Sequence, residues 1–160
     1  MTQTRRRPSQ QRPIALVGSN GGHLAHLLAL RPWWKNHDRF WVTFKQVDAL
    51  TALEGERTYW AYFPTNRNAW NLLRNSLVAL RVLLGERPSL IVSSGAGVAV
   101  PFFYLARLFG ARTIFIEVVD RIDRPTLTGR LIRPVATRVM TQWPELRQHY
   151  PDMTLIGRLL

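Results

Sequence analysis

Cysteine is absent from the 160 residues, so neither a disulfide framework nor a thiolate metal site is open to this chain, and its redox compartment stays undetermined. Lysine is almost absent too: Lys35 and Lys45 are the only ones, and arginine supplies nearly all of a formal charge of +12. The four histidines are scattered; His23 and His26 are the closest pair, with no acidic residue beside them, so neither a metal ion nor a cofactor is expected. No apolar run reaches the length of a membrane span, since the best stretch, Val98 to Phe109, is too short and is broken by Arg107. The first residues, Met1–Arg12, lack the hydrophobic middle of a secretory signal and read as a mobile basic arm.

What is present describes a folded domain. The apolar fraction of 46% and the aromatic fraction of 11% are those of a chain with a proper core, and the length suits one domain over residues 13–160. An arginine excess of this size calls for an anionic partner or surface, because the guanidinium binds phosphate and carboxylate bidentately and sits well at an anionic membrane. Nucleic acid is the weaker candidate, because the basic residues are dispersed and no zinc-finger or ribonucleoprotein motif accompanies them. A basic surface serving solubility alone is the plain alternative.

The pattern is organised around Val17-Gly18-Ser19-Asn20-Gly21-Gly22-His23. An apolar run, Ile14-Ala15-Leu16-Val17, precedes it, and Leu24, Leu27 and Leu28 follow at helical spacing. Strand, glycine-rich turn and helix start in that order make a phosphate-binding α/β loop, with unpaired N–H groups at the positive helix end. The loop has no Gly-Lys-Ser/Thr ending, its spacing is not that of a dinucleotide fingerprint, and the second strand ends in Thr43-Phe44-Lys45 without the acid that would hold a ribose.

Further strands are expected at Phe40–Thr43, Thr58–Phe63, Leu90–Val92, Arg112–Glu117, Thr137–Thr141 and Thr154–Ile156. Helices are expected at Val47–Leu53, Ala69–Leu84, Val98–Phe109 and Pro144–Tyr150, with Arg31-Pro32 ending or kinking the first one. In the helix over Ala69–Leu84 the apolar positions Leu72, Leu73, Leu77, Leu80 and Leu84 form one face, read by default as facing the core and alternatively as lying at a membrane interface. Gly85 to Pro88 reads as a turn, and Asp120 to Pro134 as an irregular, arginine-rich segment. Alternating strands and helices predict an α/β fold with a doubly wound parallel sheet. Ligands of such sheets lie beyond the carboxyl ends of the strands, where three polar turns, Gly18–His23, Ser93–Gly97 and Glu117–Arg124, are predicted to converge on an anion.

Asn20-Gly21-Gly22-His23-Leu24, Arg67-Asn68 with Asn71-Leu72, Val92 to Pro101, Phe115-Ile116-Glu117, Gln142-Trp143-Pro144-Glu145-Leu146 and Ile156-Gly157 together resemble the PssD-type bacterial polysaccharide-synthesis proteins. Those are related to the acceptor-side, membrane-associated subunit of the eukaryotic enzyme that adds the second GlcNAc to dolichol pyrophosphate. More distantly, the order of turns is similar to the N-terminal domain of the peptidoglycan transferase that makes lipid II. The resemblance implies a Rossmann-like N-terminal, acceptor half of a GT-B glycosyltransferase, paired as a heterodimer with a donor-binding subunit that holds most of a UDP-sugar. The chain reaches Gly157-Arg158-Leu159-Leu160 about where a linker to a donor half would begin. The implied acceptor is a polyprenyl-pyrophosphate-linked sugar used in extracellular or capsular polysaccharide synthesis. The implied location is peripheral, at the cytoplasmic face of the plasma membrane.

The same resemblance implies roles for single residues. His23 is the candidate base, or a first-turn group that only binds phosphate or caps its helix. Glu117 is the rival base or a holder of sugar hydroxyls, unless it is a strand-end carboxylate paired with Arg121. Ser19, Asn20, Gly21, Gly22, Asn68, Ser94, Gly95, Gly97, Arg121 and Arg124 are the candidate substrate-binding residues. A non-catalytic scaffold that recruits a complete transferase to the membrane is the alternative function.

Overall fold

The alternation of side chains along Ile14-Ala15-Leu16-Val17 sorts the whole molecule into two layers. Ala15 and Val17 point to one side of the central strand, Ile14 and Leu16 to the other, and all four are buried. A strand buried on both faces belongs in a sheet covered by helices on both sides. The computed structural model describes residues 12–65 and 68–159. Its strands are β1 (Ile14–Val17), β2 (Arg39–Phe44), β3 (Thr58–Ala61), β4 (Leu90–Ser93), β5 (Arg112–Ile116), β6 (Arg138–Thr141) and β7 (Thr154–Leu155). They form one sheet in the order β3-β2-β1-β4-β5-β6-β7, and every pairing is parallel. The predicted doubly wound α/β sheet is therefore present.

Helices α1 (Gly22–Ala29), α2 (Arg31–Trp34) and α3 (Val47–Ala52) cover one face through Leu24, Leu27, Trp34 and Ala49. Helices α4 (Ala69–Glu86), α5 (Ala99–Ala106) and α6 (Leu127–Ile132) cover the other through Ala79, Leu83, Phe102, Phe103 and Ile132. The basic arm expected over residues 1–12 lies outside the described residues except for Arg12. That guanidinium donates to the carbonyls of Arg87, Pro88 and Phe109. Among the described residues no helix is long and apolar enough to cross a membrane.

Three expectations need correction. The leucine face of α4 does not face the core: Leu73, Leu77 and Leu84 are each about half exposed, at 53%, 50% and 52%. The buried side of α4 is Asn71, Asn75, Ala79, Val82 and Leu83. Its two asparagines are buried because β3 stops at Ala61, short of the expected Phe63, and the chain beyond it needs hydrogen-bond partners. Asn75 gives both, accepting from Tyr62 N at 2.8 Å and donating to Tyr62 O at 3.0 Å, while Asn71 donates to Pro64 O at 2.8 Å. A periodicity count that treats asparagine as polar and outward-facing therefore selects the wrong side. Second, α4 runs through Gly85, and the chain turns instead at Arg87, which takes a left-handed φ of 46°. Third, the segment read as irregular contains α6. Thr126 caps it by accepting from Gly129 N at 3.0 Å.

Replacing Asn75 by alanine leaves the part-buried N–H and carbonyl of Tyr62 without their partner, so Asn75→Ala is expected to lower stability by about 1–3 kcal/mol. The check is a shifted urea midpoint at unchanged slope; a midpoint like that of a surface substitution would contradict the role.

Candidate functional site

The strand order reverses between β1 and β4, since the chain winds outward through β2 and β3 on one side and β5 to β7 on the other. The loops leaving β1 and β4 are therefore forced apart, and a crevice opens at their carboxyl ends. An open cleft of about 680 Å³ occupies this position. Ser19, Asn20 and His23 line it from the β1 side, Thr65 and Asn68 from the start of α4, and Ala96 and Gly97 from the β4 side. Thr126, Leu127, Thr128 and Leu131 close it from α6, and Phe44, Phe63, Leu72 and Val100 complete an apolar wall. The cleft is thus polar at the strand ends and apolar toward α4 and α6.

The N-terminal ends of α1, α4 and α5 all reach this cleft, through His23, Asn68 and Gly97 respectively. Helix dipoles at such ends favour an anion, although the Ala99 and Val100 N–H groups of α5 already donate to Ala96 O and Gly97 O. Asn68 caps α4 by accepting from Asn71 N at 2.9 Å. At Gly21 the expectation is modified: its φ of 66° requires glycine, but its N–H donates to the Asp48 carboxylate at 2.7 Å and is not open to a ligand. Gly22 opens α1.

His23 is held in a defined tautomer. Its Nδ1 lies 2.9 Å from Ser94 O, and a carbonyl only accepts, so Nδ1 carries the proton and Nε2 keeps its lone pair. Ser94 is fully buried and returns a second bond from its hydroxyl to His23 O at 2.8 Å. Gly95, at φ 126°, makes room for the ring: a methyl group there would stand 2.8 Å from His23 Cε1. Burial is the main influence on the imidazole and lowers its pKa below 6.5, only partly offset by the bond to Ser94. His23 is therefore the neutral ring at neutral pH, with an unprotonated nitrogen. Gly97 has a packing duty, since a methyl group there would stand 2.9 Å from Thr65 Cβ. His26, by contrast, uses both nitrogens internally: Nδ1 with Gly22 O at 2.7 Å, and Nε2 as acceptor from Val119 N at 3.2 Å.

The third turn is arranged differently from expectation. Glu117 has no exposed surface and does not line the cleft. Its Oε2 accepts from Thr126 N at 3.1 Å and Tyr150 OH at 3.0 Å, and its Oε1 from Val118 N at 3.3 Å. It therefore faces its own hydrogen-bond cluster and not the cleft, and Arg121 pairs with Asp120 instead of with it. Arg121 and Arg124 are exposed, stand 3.9 Å from Asp120 and 3.8 Å from Asp123, and are absent from the cleft wall. What the turn contributes instead is Thr126 to Thr128, positioned through Glu117. Gly129 allows this, because a methyl group there would collide with the Tyr150 hydroxyl and Glu117 Oε2. These threonines were legible only as a helix cap, Thr126 standing before Leu127; Thr65 carried no signal of its own.

Glu117 also makes a testable demand on pH. Burial is the largest influence and raises its pKa above 4.5, against the hydrogen bonds from Thr126, Tyr150 and Val118 that lower it. Between those two values the folded chain keeps a proton that the unfolded chain has lost, so stability falls as pH rises through the window. Urea unfolding at a series of pH values above 4.5 should show this decline in the native protein and lose it in Glu117→Gln; an identical decline in both would assign it to another group.

Comparison with known proteins bears on the fold and the family. By fold, the chain superposes on Acinetobacter baumannii MurG with a TM-score of 0.68 at 18% identity, covering 83% of this chain and 42% of that one. It superposes on a glycosyltransferase from Rickettsia africae with a TM-score of 0.68 at 10% identity, covering 93% and 43%. The fold is thus that of the Rossmann-like N-terminal half of GT-B glycosyltransferases. By sequence, it is 31% identical to the UDP-N-acetylglucosamine transferase subunit ALG14 of Candida albicans over 49% of this chain and 38% of that protein. It is 26% identical to the human protein of the same name over 96% and 85%. The chain spans about two fifths of the Candida and mouse relatives it matches, 38% and 39%. The family described as "Oligosaccharide biosynthesis protein Alg14 like" matches residues 64–159, and the chain belongs to that family.

Proposed function

We propose that this protein is the acceptor-binding subunit of a two-component GT-B glycosyltransferase of the PssD type. It acts with a donor-binding partner that holds most of a UDP-sugar, and the acceptor is a polyprenyl-pyrophosphate-linked sugar of extracellular or capsular polysaccharide synthesis. The work is done peripherally, at the cytoplasmic face of the plasma membrane. The observation that carries this reading is the two-sided cleft, with three helix N-termini and His23 at one end and Leu72, Val100, Leu127 and Leu131 at the other. Such a wall suits an amphiphile whose anionic headgroup is followed by hydrocarbon.

In this scheme an acceptor hydroxyl attacks the anomeric carbon of the donor sugar. The new C–O bond forms as the bond from that carbon to the nucleotide phosphate breaks, and the nucleotide leaves with the electron pair. His23 Nε2 takes the hydroxyl proton, a role for which its tautomer and lowered pKa leave it ready. Glu117 acts at a distance, by holding Thr126 and hence the α6 wall. The scaffold reading draws on Gly21 N–H and Glu117, both of which are spent on internal bonds. Turnover by the partner alone in detergent separates the two, because a scaffold leaves it intact and a missing half-site does not.

The described residues form a single sheet with one cleft-forming edge, so the purified chain is expected to transfer no sugar by itself. An assay with a lipid-pyrophosphate acceptor and a set of UDP-sugars, with and without the partner, checks this; robust turnover by the chain alone would defeat the split-enzyme reading. In the reconstituted pair, His23→Gln is expected to lower kcat by roughly 10²–10⁴-fold with KM little changed. It should also remove an acidic limb lying below pH 6.5, the side to which burial shifts the imidazole. Near-native kcat in a folded, paired His23→Gln protein would instead give His23 a binding role.

A further inference from the structure

The exposed side of α4 repeats at alternating intervals of three and four residues: Trp70, Leu73, Leu77, Leu80 and Leu84. That spacing lays five large apolar side chains in one stripe about 21 Å long. A stripe of this kind on a soluble monomer calls for something to cover it. Helix α4 packs beside α5, and α5 beside α6, all on the same face of the sheet. These neighbours carry exposed leucines as well: Leu108 just past α5 is exposed by 77%, and Leu127 and Leu131, at the cleft edge on α6, by 72% and 45%.

Charge on these helices is one-sided. They and the turn that follows α5 carry Arg74, Arg81, Arg107 and Arg130, and their only acidic residue is Glu86. Glu86 is already engaged by the Tyr59 hydroxyl and by Arg57, 3.6 Å away. Arg74 lies over the Tyr62 ring at 3.7 Å, with its charge at the border of the stripe.

We propose that this three-helix face is the surface by which the protein lies on an anionic bilayer, with α4 parallel to the membrane plane and its leucines in the acyl boundary. Apolar side chains bordered by arginine are the composition of an interfacial helix. A partner helix would need only the narrow stripe, and would leave Leu108 uncovered. The proposal rests on the functional reading above and adds a consequence to it. The apolar wall of the cleft, at Leu72 and Leu131, belongs to these same helices, so a lipid-borne acceptor can enter sideways from the bilayer.

The test is flotation of the full chain with vesicles made of equal parts phosphatidylcholine and phosphatidylglycerol, and with pure phosphatidylcholine vesicles. Binding is expected to the anionic vesicles and to be weaker on the neutral ones. The double variant Leu77→Glu, Leu84→Glu alters solvent-facing positions away from the cleft and should keep its thermal midpoint. It should lose vesicle binding by about tenfold or more, since two inserted side chains become charged. Removing residues 1–11 should weaken binding only in a salt-sensitive way. In detergent, with the partner present, turnover of the double variant should equal that of the native pair. This keeps a failed surface distinct from a failed functional reading. Native-like flotation of the double variant, loss of flotation on removing residues 1–11 alone, or loss of partner binding with flotation intact would each overturn the proposal.

Discussion

Two hydrogen bonds cross the gap between the first turn of α1 and the loop after β4: His23 Nδ1–H to Ser94 O, and Ser94 Oγ–H back to His23 O. Much of the cleft depends on this reciprocal clasp. Parallel strands whose order reverses between β1 and β4 send their loops in opposite directions, and nothing in the sheet ladder itself holds those loops together. The clasp does so with one side chain from each. It also selects the histidine tautomer and so decides which ring nitrogen keeps a lone pair. Gly95 belongs to the same arrangement, because the ring occupies the space that any side chain there would take.

The walls of the cleft are held by polar groups that never reach it. Glu117 anchors Thr126 from below α6, and Tyr150 and Gly129 complete a buried cluster in which each donor has an acceptor. Asn71 and Asn75 do the same under α4, taking up the backbone of Tyr62 and Pro64 after β3 has ended. Such groups are costly to bury unless satisfied, and once satisfied they allow little freedom of placement. Directing asparagines inward on α4 has a second result. The leucines of that helix are turned outward, so the internal need of one strand end produces an apolar external face.

Cleft and face therefore share α4 and α6. The side of α4 that carries Leu72 and Asn68 lines the cleft, and the next side carries the leucine stripe. The physical separation between a polar strand-end region and an apolar helical region is what suits the site to a ligand with both characters.

The sequence by itself determined the layer order. Continuous apolar runs such as Ile14–Val17 and Leu90–Val92, each followed by a glycine-rich turn and an apolar helix, admit few arrangements other than a parallel sheet with its site at the strand ends. His23, Asn20 and Gly97 were legible for that reason: they sit directly after strands. Tertiary structure decided the rest, because burial of a polar residue depends on a partner distant in sequence. Asn75 is inward because Tyr62 lacks a strand neighbour. Glu117 is hidden because Tyr150 and Thr126 close over it, 33 and 9 residues further along. Helix α6 forms around a glycine that local propensity counts against, since only glycine fits beneath Tyr150. Periodicity reports how many apolar residues a helix has and at what spacing; which side meets the core is settled by what the neighbouring backbone still needs.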